Sequence, residues 1–225
     1  MIAAIAAWWL SRQRLTAKPW LEEGALGDFA GGGASTLPAA TLGLGVFLAV
    51  VGSLFALLIS AYSMRMSVIE AQPLPAPKLL WLNTGALILS SAALQWAHFA
   101  ARRGEIEGVR AALFAGAVFA VAFLAGQLLA WRQLAAAGYY LAANPASSFF
   151  YLITGVHGLH LAGGIVALGR TTARAWNGVV ATELRLGVGL CAAYWHFLLV
   201  LWLILFVLLT RGGDDFLAIC RSLVD

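Results

Sequence analysis

Apolar residues run without a break for the width of a bilayer five times along this chain, near residues 40–62, 79–100, 110–131, 147–169 and 187–210. A hydrocarbon core of about 30 Å takes about 20 residues at about 1.5 Å each, so every one of these windows predicts a transmembrane helix. None holds Asp, Glu, Lys or Arg in its interior; Arg110, Arg132 and Arg170 stand at or just beyond the edges, where their long stems reach the headgroups. A spanning barrel would need short segments alternating apolar with polar, whereas these runs are continuous and rich in Ala and Leu. The expected fold is an all-α integral membrane protein, a bundle of five transmembrane helices.

The flanks divide the rest. Residues 1–36 form an amino-terminal interfacial segment and linker, 37–212 the membrane domain and 213–225 a carboxyl-terminal tail. The opening MIAAIAAWWL is too short to span, and its charges follow the apolar run instead of preceding it, as they would in a secretory signal. It reads as an anchor with Trp8 and Trp9 at headgroup depth, leading into the glycine-rich stretch Gly24 to Thr36. Arg12, Arg14, Lys18, Arg102, Arg103, Arg110, Arg170, Arg174 and Arg185 fall on one side of the five spans, against Arg65, Lys78, Arg132, Arg211 and Arg221 on the other. The positive-inside rule then puts the amino terminus in the cytoplasm and the carboxyl terminus outside.

Composition agrees with that picture and removes other classes. With 62% hydrophobic and 11% charged residues, this is no ordinary soluble domain. The net charge of +4 is explained by boundary residues facing anionic lipid and needs no nucleic acid. Cys191 sits in the last span and Cys220 in the tail, too far apart in kind for a disulfide; Cys191 reads as a small buried apolar residue.

Polar side chains within the spans mark the faces turned to neighbouring helices, because hydrocarbon offers no hydrogen-bond partners. Thr84, Ser91, Gln95 and His98 follow one another by seven, four and three residues and share one helical stripe. Gly126 and Gln127 interrupt the third run, and Thr154, His157, His160, Gly163 and Gly164 share a broad face of the fourth. His160 and His196 come to similar depth, so antiparallel packing of the last two spans would permit His157 or His160 to face His196.

Three central histidines raise the question of a haem or metal, since neutral imidazole is a common transition-metal ligand. Two arguments favour packing. Residues i and i+3 of one helix cannot clamp opposite faces of a porphyrin, and zinc or di-iron sites add Cys or carboxylates, of which the spans offer no carboxylate. The reading preferred on the residues is that each ring gives one N–H to a carbonyl or hydroxyl of a neighbouring helix. Tyr194 and Trp195 beside His196 are read as packing or interface residues, and Gln127 as a structural helix contact. The same lack of carboxylates argues against a proton relay within this chain.

Two segments carry a resemblance. SSFFYLITGVHGLHLAGGIVAL (147–168) and AAYWHFLLVLWLILF (192–206) are similar to signature helices of subunit III of haem-copper oxygen reductases, the cytochrome c oxidase family. VFLAVVGSLFALLISAY, LWLNTGALILSSAALQWA and AGQLLAWRQL follow the family's order, so the resemblance covers roughly residues 40 to 210. It corresponds to the short five-helix form, and KPWLEEG (18–24) resembles the bacterial cytochrome c oxidase branch. The resemblance implies an accessory, non-redox subunit that packs on subunit I beside subunit II and holds phospholipid, in a bacterial cytoplasmic (inner) membrane. Haem and copper would sit in the partner subunits, which reduce oxygen to water and translocate protons; no cofactor, metal or catalytic residue is assigned to this chain. Its motif positions His157, His160, Tyr194, Trp195, His196 and Trp202, with Gln95, His98 and Gln127, are the expected packing and lipid contacts. Val51, Gly189 and Leu199 stand where many members carry carboxylates, which puts a carboxylate proton antenna in doubt here. The alternatives are an accessory subunit of a nitric oxide reductase-type complex and a histidine-ligated membrane cytochrome.

Overall fold

The computed structural model describes residues 38–68, 79–140 and 145–210. They form five helices: α1 (Ala39–Val68), α2 (Leu79–Arg103), α3 (Ile106–Ala136), α4 (Pro145–Trp176) and α5 (Ala181–Thr210). All five belong to one compact unit beginning at Ala39. The expectations for 1–36 and 213–225 concern residues outside the described ones.

Each helix outruns the apolar window that announced it. At 32 residues, α4 is about 48 Å long, well beyond the hydrocarbon thickness, so its ends reach into headgroup depth. Two of the turns show why the helices stop where they do. Gly104 (φ 79°) and Gly138 (φ 87°) take left-handed backbone that a Cβ would oppose. Around them the carbonyls of the last turn are closed, by Glu105 N–H to Ala100 O and by Tyr139 N–H to Leu134 O, both at 3.0 Å.

Four helices are long and apolar enough to cross a membrane: Ala39–Arg65 of α1, α3, α4 and Glu183–Leu209 of α5. α2 is not among them. It is long enough at 25 residues, but Asn83, Thr84, Ser90, Ser91, Gln95 and His98 dilute its apolar character.

α2 packs against α3 and α5, α3 against α4, α4 against α5, and α1 against α4 and α5. The residue pairs show that successive helices run antiparallel. Asn83 meets Gln127 at one end of α2–α3 while Ser90 meets Gly116 further along, and on α1–α4 Phe47 meets His160 while Tyr62 meets Phe149. The main core lies between α2, α3, α4 and α5, around Leu87, Leu94, Phe123, Leu161, Trp195 and Trp202. A smaller cluster of Val51, Phe55, Tyr62, Ile153, Leu201, Leu205 and Leu208 joins α1 to α4 and α5.

Candidate functional site

The polar residues of α2 converge on the aromatic residues of α5. Trp202 Nε1 donates to Thr84 Oγ1 at 3.0 Å, and Trp195 Nε1 to Ser90 Oγ at 2.8 Å. Each hydroxyl passes its own hydrogen on, Thr84 to Leu80 O (2.9 Å) and Ser90 across to Gly116 O on α3 (2.8 Å). An indole only donates and a hydroxyl does both, so one small side chain satisfies a buried Trp and a carbonyl at once. The device recurs between α3 and α4, where Trp131 Nε1 reaches Thr154 Oγ1 at 3.1 Å and Thr154 bonds Phe150 O at 2.6 Å.

His196 is held on the same seam. Its Nε2 lies 2.8 Å from Gln95 Oε1, so Nε2 carries the hydrogen and Nδ1 accepts from Ser91 Oγ. At the helix end Arg185 of α5 donates to Ala101 O (3.1 Å) and Arg102 O (2.9 Å), which closes the last carbonyls of α2. His98, next along the stripe, has a buried Nδ1 without a partner and packs its ring on Gly189, where an added Cβ would lie 3.2 Å from His98 Cε1. Gln127 takes Asn83 Nδ2 on its Oε1 at 3.4 Å, and its Nε2 is buried and unpartnered. The same Asn83 fills the space beside Gly126, where a Cβ would overlap its Oδ1.

The structure does not bring the three histidines together as the depth argument permitted. His196 turns to α2, because Ser91 and Gln95 supply both of its bonds. His160 bonds the carbonyl of Val156 on its own helix at 2.8 Å, and the α4–α5 hydrogen bond at that level is made by Tyr194 OH to His160 O (2.8 Å). His157 is fully buried with neither ring nitrogen partnered. Its neighbours are rings: Trp202 at 5.1 Å between centroids, Phe123 at 5.9 Å and Phe55 at 6.3 Å. The expectation of one N–H per ring to a neighbouring helix therefore describes His196 and fails for the other two. His160 sits among Phe47 and Phe55 instead, with centroids 6.4 and 5.7 Å away. Among the described residues no three His, Cys, Asp or Glu are grouped to hold a metal ion.

Sequence reasoning passed over Ser90, Asn83, Trp131 and Phe55. The Ser-Ser pair at 90–91 held the missed signal, since adjacent hydroxyls on a helix face two directions and both need partners in hydrocarbon. At the positions lacking carboxylates, Val51 is buried in the α1 cluster and Leu199 packs half-buried on the main core.

The arrangement defines a helical membrane bundle whose interior polar groups bond chiefly to one another. Comparison with known proteins narrows this class. Residues 42–213 match the family described as cytochrome c oxidase subunit III. The chain is 33% identical over 173 residues to cytochrome c oxidase subunit 3 of Thermostichus vulcanus, covering 75% of this chain and 85% of that protein. It is 35% identical over 130 residues to the probable cytochrome c oxidase subunit 3 of Mycobacterium tuberculosis, over 56% of this chain and 62% of that one. With the Arabidopsis thaliana subunit 3 the identity is 35% over 127 residues, 56% of this chain and 47% of the relative. The chain belongs to the cytochrome c oxidase subunit III family. Its place is that of an accessory subunit of a haem-copper oxidase complex.

Proposed function

We propose that the chain crosses a bacterial cytoplasmic membrane five times, α2 included, packs on oxidase subunit I near subunit II, and holds phospholipid on its outward faces. Haem and copper reside in those partners. The observation that carries the five-span reading is the consumption of α2's polar groups. Thr84, Ser90, Ser91 and Gln95 are bonded to Trp202, Trp195 and His196, so a helix too polar to face lipid alone is made acceptable inside the bundle. Its outer face, with Trp81, Leu82, Leu89, Trp96 and Phe99, is apolar and exposed, as a face toward lipid or subunit I requires.

The alternating helix directions support the orientation. They gather Arg102, Arg103, Arg110, Arg170, Arg174 and Arg185 at the end where α1 begins, and the positive-inside rule makes that end cytoplasmic. The membrane domain is taken as 37–212, flanked by the interfacial segment 1–36 and the tail 213–225. His157, Trp195, His196, Trp202, Gln95, His98 and Gln127 serve as packing residues within it. His160 and Tyr194 pack at the wall of a cavity whose rim residues Phe47 and Leu159 are exposed.

A mild-detergent pull-down of the tagged chain tests the assignment. Haem and copper are expected in the intact assembly, with the reduced-minus-oxidised spectrum lost once the partner subunits are stripped away. A haem spectrum that stays with the bare chain overturns it.

A further inference from the structure

Between α1, α4 and α5 lies a cavity of about 420 Å³, inside the range of roughly 300–1,000 Å³ that small-molecule sites occupy. Its sides are aromatic: Phe47 and Tyr194 have centroids 6.0 Å apart, as do Tyr194 and Trp195. Two adjacent glycines of α4 line it and differ in kind. A Cβ on Gly164 would meet Tyr194 Cε1 at 2.7 Å and Trp195 Cζ3 at 2.9 Å, whereas a Cβ on Gly163 meets nothing within 4 Å.

The polar atoms of this wall are one-sided. Tyr194 gives its hydrogen to His160 O and Trp195 gives its own to Ser90, while Cys191 Sγ lies 3.6 Å from Thr171 Oγ1. His160 Nδ1 is bonded to Val156 O at 2.8 Å. A carbonyl only accepts, so Nδ1 carries the hydrogen and Nε2 presents a lone pair. Among the described residues nothing donates to that lone pair, and unlike the ring nitrogens of His157 it is not sealed in protein. The donors of the cavity are therefore spent and an acceptor is left over. A phosphate, an ester or a carboxylate brings only further acceptors, but a hydroxyl on a flat apolar ring brings the missing donor and a face to lay against the aromatic wall.

We propose that this cavity binds a membrane-soluble hydroquinone, which donates one phenolic hydroxyl to His160 Nε2 and rests its ring against Phe47 and Tyr194. The oxidised quinone carries carbonyls in place of hydroxyls and cannot make that bond, so the site retains the reduced form. Binding alone is proposed, with no electron transfer, and it stands on the cavity's own geometry whichever partners the chain has.

The test uses the full chain, purified in mild detergent with the subunits that accompany it, under anaerobic equilibrium dialysis. The probes are a decyl-tailed benzohydroquinone, its quinone and its dimethyl ether. Hydroquinone is expected to bind the wild type, about five-fold more weakly after His160→Phe, the loss of one neutral hydrogen bond, and at least as much more weakly after Gly163→Leu, whose side chain takes up part of the cavity from a position where a Cβ meets nothing within 4 Å. Quinone and ether should bind wild type and His160→Phe alike. Equal hydroquinone affinity in wild type and His160→Phe, or an ether that binds as well as the hydroquinone, overturns the proposal. So does a phospholipid retained by the wild type and lost from Gly163→Leu, which would assign the cavity to an acyl chain. Should His160→Phe fail to assemble, the ether comparison and Gly163→Leu still decide.

Discussion

Two seams join this bundle, and they are built from different chemistry. Between α2 and α5 the side chains hydrogen-bond in sequence, Thr84 with Trp202, Ser91 and Gln95 with His196, and Ser90 with Trp195. Between α1 and its neighbours α4 and α5 the contacts are ring on ring: Phe47 with Tyr194, Phe55 with His157 and His160, Tyr62 with Phe149. Two hydroxyls of α1 turn back on their own helix, Ser53 to Ala49 O and Ser63 to Ile59 O. Burial follows the same division, since 11% of α1's apolar stretch lies inside the bundle against 50% of α5's. In water an apolar helix is the one expected inside. In hydrocarbon apolar surface gains nothing from burial against another helix by transfer alone, so polar groups and close packing mark the interior instead.

The largest expected effect comes from breaking both seams at once. Gly164 sits where Tyr194, which faces α1, and Trp195, which faces α2, press together on α4. Gly164→Val drives a branched side chain into both rings and should destabilise the bundle by about 3 kcal/mol, the upper part of the usual overpacking range. Thermal unfolding in detergent measures it. A midpoint within 1–2 °C of wild type, or about 0.5 kcal/mol for a chain of this size, would mean the rings have room to part.

Next in size is the hydrogen-bonded seam alone. Ser90→Ala removes the acceptor of the Trp195 indole and the donor to Gly116 O, leaving a buried N–H unsatisfied at a cost of about 2 kcal/mol. His196→Leu removes two interhelical bonds together with both ring nitrogens, and the Ser91 hydroxyl it releases can turn back to a carbonyl of its own helix, which an indole N–H cannot do, so the loss should be smaller, about 1 kcal/mol. Its readout is retention of the chain in the purified assembly; unchanged co-purification and turnover lifetime would show the His196 bonds to be dispensable. A larger loss for His196→Leu than for Ser90→Ala would reverse the order that orphaned donors impose.

The same asymmetry explains how much of this was legible in the sequence. Helix positions were readable because a run of apolar residues has only one common spanning form, and the stripe Thr84, Ser91, Gln95 and His98 was readable because helical periodicity fixes a face. Which helix that stripe faced was not. His160 and His196 share a depth, but depth does not fix azimuth, and the pairing was decided by Ser91 and Gln95 being able to serve both nitrogens of His196. The aromatic enclosure of His157 left no periodic trace either, because Phe55, Phe123 and Trp202 come from three helices and no single run marks them as neighbours of one ring. The polar character of α2 was visible in its residues and was outweighed by its length.

The smallest effect sharpens the comparison most. Ser53→Ala makes the same atomic change as Ser90→Ala, in a helix of the same bundle. Ser53 is exposed, however, and its hydroxyl bonds only Ala49 O of its own turn at 2.9 Å. Removing it strips no partner from another helix, and the freed carbonyl keeps its backbone bond, so the change should stay within about 0.5 kcal/mol. Measured side by side in detergent, the two substitutions should differ by more than 1 kcal/mol, roughly the cost of stranding one indole N–H. If Ser53→Ala costs as much as Ser90→Ala, then α1 is held by bonds across its seam as α2 is, and the contrast between a bonded and a ring-packed seam fails.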